Sequence, residues 1–321
     1  MRSYSLIAPA KINLYLEIIS DRPDGYHELA MVLQSIDLAD RIDLRPLSTD
    51  KISVRCTHPQ VPQDETNLAF RAAQLMAAQF PQTFARYGGV EITIHKHIPV
   101  AAGLAGGSTD AAAVLVGLNL MWSLGLTQSE LQELAARLGS DVPFCITGGC
   151  AIATGRGDQL SPLPSLARLY VVLGKYSSLT VSTAWAYQTY RQQFSSSYAT
   201  ESQNLVSRAT NVHSGPMVKA IVQADGQQIG QQLHNDLEKV VLPAYPLVLQ
   251  LRETINSTGV LGTMMSGSGP TVFALCESYT QAQQAKEAVK AALPDPDLEL
   301  WLAKFSASGI QVASSSLEKG E

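Results

Sequence analysis

The chain has 321 residues, of which 45% are hydrophobic, and a formal net charge of -5. This length and composition predict a globular protein with room for two domains. The negative charge argues against nucleic acid or an anionic membrane as the main partner, because both favour a basic surface. No apolar run is long enough for a membrane span, and the four cysteines form no CxxC pair, which argues against a zinc site or a disulfide framework. We therefore expect a protein of the cytoplasm, or of the plastid stroma after removal of a transit peptide.

The N-terminal third is predicted to contain a hairpin, a helix and a further strand. Apolar and polar residues alternate over residues 11–18, which is typical of a half-buried strand and places Lys11 and Asn13 on one face. The other signals are, in chain order, a turn at Asp24-Gly25 beside Tyr26 and His27, a strand over 28–44, a helix over 66–80 ended by Pro81, and a strand over 90–97.

A glycine-rich segment runs from Pro99 to Asp110 and leads into an apolar stretch over 111–122. Glycines let the backbone turn tightly, and the start of a helix offers unpaired N–H groups, so this pattern predicts a phosphate-binding loop. It is not a Walker A motif, since no Gly-Lys-Ser/Thr follows, and residues 98–136 contain neither Lys nor Arg. A cation for the phosphates must therefore come from elsewhere. In the alternative interpretation, the glycines form an ordinary turn before the helix and bind no ligand.

The next predicted helix has clear signals at both ends. Thr127 and Glu130 form a capping-box pattern, and Gly139 is typical of a helix C-terminus. Asp141 follows, and we expect the Val-Pro pair after it to hold the backbone extended and so to fix the direction of the carboxylate.

A proline-rich stretch at 162–164 predicts a boundary between two domains, residues 1–163 and 164–321. The second domain is predicted to be an α+β unit. The elements on both sides of the boundary are strands near 151 and 170–173, a serine-rich loop over 195–203, helices around 215–233 and 246–256, a glycine turn over 266–270, a strand over 271–276, a helix over 279–292, a strand near 299–305 and a loose tail after 314.

Three separated segments occur together in the order found in a known family. They are residues 8–14 (Ala-Pro-Ala-Lys-Ile-Asn-Leu), the glycine-rich residues 99–112 and residues 265–271 (Met-Ser-Gly-Ser-Gly-Pro-Thr). On these segments the chain resembles the GHMP kinase superfamily. The sequence Gly-Tyr-His-Glu-Leu at 25–29 is similar to the branch of that family in the non-mevalonate route to isoprenoid precursors.

The resemblance implies an α+β fold of two domains with the active site in the cleft between them. The N-terminal domain would be like domain 2 of ribosomal protein S5, and the C-terminal domain would be ferredoxin-like. The implied activity is an ATP-dependent phosphate transfer, with Mg²⁺, to the 2-hydroxyl of a cytidylylated methylerythritol. We expect a small-molecule substrate, no nucleic-acid or membrane partner, and a monomer or weak homodimer.

The family's motifs also imply roles for individual residues. Lys11 would supply the cation for the transferred phosphate, and Asp141 would be the base on the acceptor hydroxyl. Ser108 or Thr109 would reach the Mg²⁺ ion. The ATP site would consist of Pro99, Ala101, Gly103, Leu104, Ala105, Gly106, Gly107, Ser108, Thr109, Asn67 and Lys96. The substrate site would consist of Asn13, Tyr26, His27, Thr183, Tyr187, Gly267 and Ser268.

Three of these roles have a structural alternative. Taken alone, Lys11 is better explained as a solvated strand residue and Asp141 as a helix cap or a surface charge, and Tyr187 is nearly as well explained as a core aromatic. Asp110 is a rival catalytic carboxylate, because it lies in the first helical turn after the glycine-rich segment. Arg156 is left outside the predicted site as a surface charge.

Two other functions compete with this hypothesis. Another GHMP kinase, such as a homoserine or mevalonate kinase, would share the fold, but its substrate carries no pyrimidine that would require Tyr26 and His27. A regulator that binds nucleotide without catalysis would also keep the fold. The presence of both Lys11 and Asp141 argues against such a regulator.

Overall fold

The structure, a computed structural model, describes residues 2–198 and 212–313. Two β-sheets form its framework. The larger sheet contains β1 (Tyr4–Asp21), β2 (His27–Pro46), β3 (Ile52–Cys56), β4 (Val90–His95), β5 (Cys150–Gly155), β6 (Gln159–Leu163), β8 (His234–Asn235) and β12 (Gln311–Val312). The smaller sheet contains β7 (Tyr170–Tyr176), β9 (Gly262–Met265), β10 (Val272–Cys276) and β11 (Leu298–Lys304).

Helices pack on both sheets. Those of the first half are α1 (Leu68–Gln79), α2 (Pro81–Tyr87), α3 (Gly106–Met121), α4 (Gln128–Ala136) and α5 (Val142–Thr147). Those of the second half are α6 (Thr183–Phe194), α7 (Pro216–Val222), α8 (Gly226–Gln231), α9 (Glu238–Ala244), α10 (Pro246–Asn256) and α11 (Tyr279–Ala292). Within residues 2–198 and 212–313, no helix has the length and apolarity needed to cross a bilayer.

The predicted N-terminal hairpin is confirmed as β1 and β2, which form a long antiparallel pair. β2 continues the sheet in two directions, because its first part pairs with β5 and its last part with β4. The β1–β2 register shifts between Pro9 and Lys11 and again between Asn13 and Tyr15. Such bulges bend a strand locally and redirect side chains, and they are common beside active sites. Lys11 and Asn13 thus lie between two irregularities of one strand.

The apolar helix predicted after the glycine-rich segment is confirmed as α3, which is buried on nearly all sides. Gly117 lets this helix approach the sheet closely, because a Cβ at that position would collide with the side chain of Leu44. The capping box at Thr127 and Glu130 is also formed, at the start of α4. The glycine at position 117 thus allows α3 to pack directly against side chains of the larger sheet.

The smaller sheet is antiparallel, with strand order β11-β7-β10-β9. The two halves of the chain are not independent, because β8 and β12 of the second half pair with β1. One buried cluster also contains residues of both halves, among them Ile12, Leu104, Phe273 and Phe305. This shared core holds the glycine turn between β9 and β10 against the first half.

Two predicted helices differ from the observed ones. The helix expected over 215–233 is divided into α7 and α8, because Ala224 between them takes a left-handed backbone conformation with φ of 53°. Pro81 follows the end of α1 as predicted, but it also starts α2, since proline suits the first turn of a helix. Of the predicted serine-rich loop, residues 195–197 form one 3₁₀ turn. Residues 199–203 and the tail after residue 314 lie outside the described residues.

Candidate active site

A cavity of about 920 Å³ lies between the two halves of the molecule. It is bordered by β1, the β1–β2 turn, the glycine-rich segment, the start of α5, α6 and the second glycine turn. All the residues predicted for catalysis, ATP binding or substrate binding line this cavity, with the exception of Thr109. The structure therefore brings segments that are far apart in sequence to one place.

The glycine-rich segment forms a tight loop that ends at the N-terminus of α3. Three of its residues take left-handed backbone conformations: Ala101 with φ of 51°, Gly103 with φ of 73° and Ala105 with φ of 59°. The alanines adopt a conformation that glycine accepts more easily. The loop points the first backbone N–H groups of α3, and the positive end of its dipole, toward the cavity. This geometry suits a phosphate group.

The glycine-rich loop before α3 is in direct contact with the second glycine turn, residues 266–270. A Cβ on Gly103 would collide with the carbonyl oxygen of Ser266, so only glycine allows this approach. The Ser266 hydroxyl donates to the Gly103 carbonyl at 3.1 Å. The amide of Asn235 holds the second turn by donating to the carbonyl oxygens of Met265 and Gly267, both at 2.8 Å. The glycine-rich loop is thus fixed to the second half of the molecule.

Lys11 lies where β1 meets the glycine loop, and its side chain is almost completely buried. The ammonium nitrogen donates to Asn13 Oδ1 at 2.8 Å and to the Gly103 carbonyl at 3.2 Å, and it lies 3.6 Å from Asp141 Oδ2. The Asp141 carboxylate retains 34% of its exposure. A cation and a carboxylate therefore face each other beside the glycine-rich loop.

The prediction of an extended backbone at Asp141 is wrong. The φ of -81° and ψ of -18° of this residue are helical, and the residue occupies the N-cap position of the short helix α5 without a capping hydrogen bond from its side chain. The residue that directly precedes Pro143 is Val142, so the restriction that proline imposes on its neighbour falls there and not on Asp141. The position of the carboxylate is set by the helix start and by the adjacent Lys11 ammonium.

The ammonium group of Lys96 is buried between two carboxylates beneath the glycine loop. It donates to Asp40 and, at 2.8 Å, to Asp110. Although burial lowers the pKa of Lys96, the two carboxylates outweigh that effect and raise it. Burial raises the pKa of Asp110, and Asp40 adds to the rise while Lys96 opposes it. The charge of Lys96 is thus already neutralised by protein groups.

The other predicted ATP-site side chains differ in how they face the cavity. Asn67 caps α1 by accepting the N–H of Ala69 and donates to the Pro62 carbonyl, so its polar atoms hold the loop before that helix. Ser108 lines the cavity at the N-terminus of α3. Thr109 is completely buried and is not among the residues that line the cavity, so its predicted role stays a prediction.

The other end of the cavity is aromatic. The rings of His27 and Tyr187 lie with their centroids 5.1 Å apart and an interplanar angle of 32°, and Tyr26 is 54% exposed on the adjacent turn. Burial and the charge of Arg191 lower the pKa of His27, and the opposing effect of Asp21 is smaller. A neutral imidazole has one donor and one acceptor nitrogen, which a pyrimidine edge can match.

The second half reaches the cavity through α6 and the second glycine turn. Ser182 caps α6 by accepting the N–H of Trp185, which places Thr183 in the first turn. The hydroxyl oxygens of Thr183 and Ser268 lie 2.8 Å apart. Tyr187 lies one turn further along the helix, and burial raises the pKa of its hydroxyl. The predicted substrate residues of the second half therefore line one part of the cavity, where a hydrogen bond joins Thr183 of α6 to Ser268 of the second glycine turn.

Sequence reasoning did not identify four polar residues at this site. Asp40 accepts a hydrogen bond from Lys96, and Asn235 holds the second glycine turn. Arg156 and Arg191 line the aromatic end of the cavity. Arg156 stands between Gly155 and Gly157, both of which have positive φ, and this pair of glycines is the sequence signal that could have drawn attention to the turn.

Both halves match models of one family. Residues 67–149 match the family described as GHMP kinases N terminal domain, and residues 217–295 match GHMP kinases C terminal. Two cyanobacterial relatives named 4-diphosphocytidyl-2-C-methyl-D-erythritol kinase align over almost the whole chain. The one from Nostoc punctiforme is 69% identical over 98% of this chain and 100% of its own length. The one from Trichormus variabilis is 67% identical over 97% of this chain and 99% of its own length.

Solved structures show the same architecture. A crystal structure of 4-(cytidine 5'-diphospho)-2C-methyl-D-erythritol kinase superposes with a TM-score of 0.71 at 30% sequence identity, covering 94% of this chain and 99% of the other. A homoserine kinase from Cytophaga hutchinsonii superposes with a TM-score of 0.73 at 20% identity, covering 98% of each chain. At that identity the second likeness concerns the fold alone.

Proposed function

Because the chain belongs to the GHMP kinase family, and within it to the 4-diphosphocytidyl-2-C-methyl-D-erythritol kinases, we propose that it transfers the γ-phosphate of ATP to the 2-hydroxyl of that substrate. The reaction serves the non-mevalonate route to isoprenoid precursors. The observation that carries the proposal is one cavity that joins a glycine-framed helix N-terminus, the Lys11–Asp141 pair and an aromatic pocket. In this proposal these parts would hold the donor phosphates, the acceptor hydroxyl and the pyrimidine, respectively.

The ATP phosphates would lie on the loop before α3. Backbone N–H groups of residues 104–109 would donate to the β- and γ-phosphates, and the helix dipole would favour their charge. Mg²⁺, when bound with ATP, would neutralise the charge between the phosphates, and the hydroxyl of Ser108, which lines the cavity, would supply one of its oxygen ligands. The described residues contain no cluster of three His, Cys, Asp or Glu side chains that could hold a metal ion, so phosphate oxygens and water would supply most of its ligands.

The acceptor hydroxyl would be held between Lys11 and Asp141. Asn13 orients the Lys11 ammonium, and the carbonyl of Gly103 ties the same ammonium to the phosphate loop. Asp141 would accept the hydroxyl proton, while Lys11 would neutralise charge on the moving phosphoryl group. Phosphoryl transfer depends mainly on positioning and charge neutralisation. In a loose transition state the carboxylate does not need to be a strong base.

The cytidine end of the substrate would lie among the aromatic residues. Tyr187 and Tyr26 offer flat surfaces for stacking on the pyrimidine, and His27 would hydrogen-bond its edge. Thr183 would lie near the ribose. Gly267 and Ser268 would approach the substrate from the second glycine turn.

Neither competing function is favoured. Two solved structures of homoserine kinases are 20% and 17% identical to this chain, whereas the two relatives that are 69% and 67% identical carry the name of the cytidylylated substrate. A regulator without catalysis would have no need for the contact between Lys11 and Asp141 in the cavity.

The order of the smaller sheet also supports the domain types that the family resemblance implies. In chain order its strands are β7, β9, β10 and β11, and helices follow β7 and β10. When these strands are numbered 1 to 4 along the chain, their order across the sheet is 4-1-3-2. This arrangement supports a ferredoxin-like C-terminal domain. We assign residues 1–163, which end with β6, to the domain that resembles domain 2 of ribosomal protein S5, and residues 164–321 to the second domain.

A coupled ADP-release assay tests the proposed function. With Mg²⁺ and ATP present, we expect ADP release with 4-diphosphocytidyl-2-C-methyl-D-erythritol far above that with mevalonate or homoserine. Equal or faster release with either of those two substrates would assign the chain to another kinase of the family. Binding of ATP without ADP release from any of the three would identify a regulator.

The His27→Phe variant is expected to raise KM for the cytidylylated substrate about tenfold, the usual magnitude for one lost hydrogen bond in a binding site, and to leave KM for ATP unchanged. Phenylalanine keeps the ring beside Tyr187 but has no polar nitrogen. Because the folded pKa of His27 lies below its ordinary value of 6.5, wild-type KM should be constant above pH 6.5 and rise as the pH falls through that lowered pKa. The variant should lack this rise. An equal increase of both KM values would exclude a pyrimidine contact.

A further inference from the structure

The proposed substrate carries a diphosphate between its pyrimidine and its acceptor hydroxyl, and that diphosphate needs cationic partners. Within the described residues, four basic side chains line the cavity: Lys11, Lys96, Arg156 and Arg191. Lys11 belongs to the acceptor end through its contact with Asp141, and Lys96 is neutralised by two buried carboxylates. The two arginines at the aromatic end therefore remain as candidates.

Arg191 is used to hold the β1–β2 turn. Its guanidinium donates to Asp21 at 2.8 Å and to the carbonyl oxygen of Gly25 at 3.0 Å, so it joins α6 to that turn. Both partners lie on the turn that presents Tyr26, and the charge of Arg191 also acts on His27. Its contacts explain its presence without a phosphate group.

Arg156 is placed differently, on the turn between β5 and β6. It stands between Gly155 and Gly157, whose φ values are 68° and 99°. A Cβ on Gly157 would meet the side chain of Met31 and would lie 3.9 Å from Cβ of Ser140, the neighbour of Asp141. The turn that carries Arg156 thus contacts the acceptor end of the cavity.

The side chain of Arg156 extends from that turn toward the nucleoside end. Its guanidinium carbon lies 5.1 Å from the centroid of the Tyr26 ring. The guanidinium donates to a single carboxylate oxygen, Oδ2 of Asp158, and the side chain is 30% exposed. Arginine has five N–H donors in a planar group that can both stack on an aromatic ring and bind phosphate oxygens. Arg156 therefore has donors left for an anion.

We propose that Arg156 binds the diphosphate of the substrate and, through its contact with Tyr26, also holds that ring for stacking on the pyrimidine. The inference rests on the proposed function and adds a specificity residue to it. Arg156 links the two ends of the cavity, because the next residue, Gly157, lies beside Ser140 and the Arg156 guanidinium lies over Tyr26. A pyrimidine nucleoside without phosphates could still stack on Tyr26, but it would lack the contact between a diphosphate and Arg156.

The experiment is a calorimetric titration of the full-length protein with cytidine and with CDP. In the Arg156→Met variant we expect Kd for CDP to rise about tenfold, as for one lost charge-assisted hydrogen-bond pair, and Kd for cytidine to change by less than about threefold. Arg156→Lys keeps the charge without the planar fork and should lie between wild type and Arg156→Met. Arg168→Met is the matched control, because that arginine is exposed and lies outside the cavity lining. KM for ATP should be unchanged in all three variants.

The outcomes separate this inference from the proposed function. Equal weakening of cytidine and CDP by Arg156→Met would show that the side chain acts through Tyr26 alone, and unchanged binding of both would make it a surface charge. Either result overturns the assignment of the diphosphate to Arg156. The proposed function would stand in both cases, provided that the wild-type protein phosphorylates the cytidylylated substrate. Failure of the wild-type protein to bind CDP or to release ADP would overturn the proposed function itself.

Discussion

The Lys11→Met variant is expected to lose about 10²- to 10³-fold in kcat, the magnitude found when one preorganised electrostatic group is removed from an active site. KM for ATP should change little, because the backbone amides of the glycine loop remain. Methionine has a similar length and suits a site where the lysine side chain is only 5% exposed. Steady-state kinetics with varied ATP and varied acceptor measure both quantities.

Stability must be measured alongside activity, because the Lys11 ammonium also has a structural role. Asn13 Oδ1 and the Gly103 carbonyl would lose their donor, and an unpaired buried acceptor costs about 1–3 kcal/mol. We therefore expect a lower Tm, and kcat should be determined well below it. Lys175→Met is the matched control, since Lys175 is equally buried and donates to two backbone carbonyls of the second half, outside the cavity lining.

The two lysine variants discriminate between a role in catalysis and a general loss of folding. Both should lower Tm, but only Lys11→Met should lower kcat at a temperature where each protein is folded. Near wild-type turnover in Lys11→Met would remove the residue from the mechanism. A similar fall of kcat in Lys175→Met would mean that both variants act by destabilisation.

Local patterns were sufficient to predict much of the fold. The alternation over residues 11–18 predicts the face that Lys11 and Asn13 share, and β1 confirms it with a direct hydrogen bond between the two side chains. The helix over 279–292 has the predicted limits, because Ser278 caps it and its apolar positions recur with the helical period. Signals of this kind act over a few residues, so one sequence contains them completely.

Other features depend on contacts between distant segments, and no local pattern predicts them. The burial of Lys96 between Asp40 and Asp110 requires β2, the residues after β4, and α3 to meet. The segment around Arg156 has the composition of an exposed turn. The contact of Arg156 with Tyr26 arises because β5 pairs with β2. The sequence identifies most of the residues that line the cavity, whereas the partner of each charge becomes known only when the segments are assembled.

The Asp141→Asn variant is expected to lose about 10²- to 10⁴-fold in kcat, the range for removal of a general base, with its affinity for ATP retained. Asparagine has nearly the same shape, so the start of α5 should be preserved. It can no longer accept the proton of the acceptor hydroxyl, and it removes the charge that faces the Lys11 ammonium at 3.6 Å. The readouts are kcat, Kd for ATP by titration, and Tm.

Asp110→Asn provides the comparison, because Asp110 is a second carboxylate at the same cavity. Burial raises the pKa of Asp110, and Asp40 still balances the charge of Lys96, so a neutral amide should be tolerated there. We expect this variant to keep most of its kcat and to change mainly Tm, KM for ATP or the dependence on Mg²⁺. If Asp110→Asn instead loses kcat at unchanged Tm while Asp141→Asn remains active, the catalytic carboxylate is Asp110. The geometry favours Asp141, because its carboxylate faces Lys11 whereas that of Asp110 is held by Lys96.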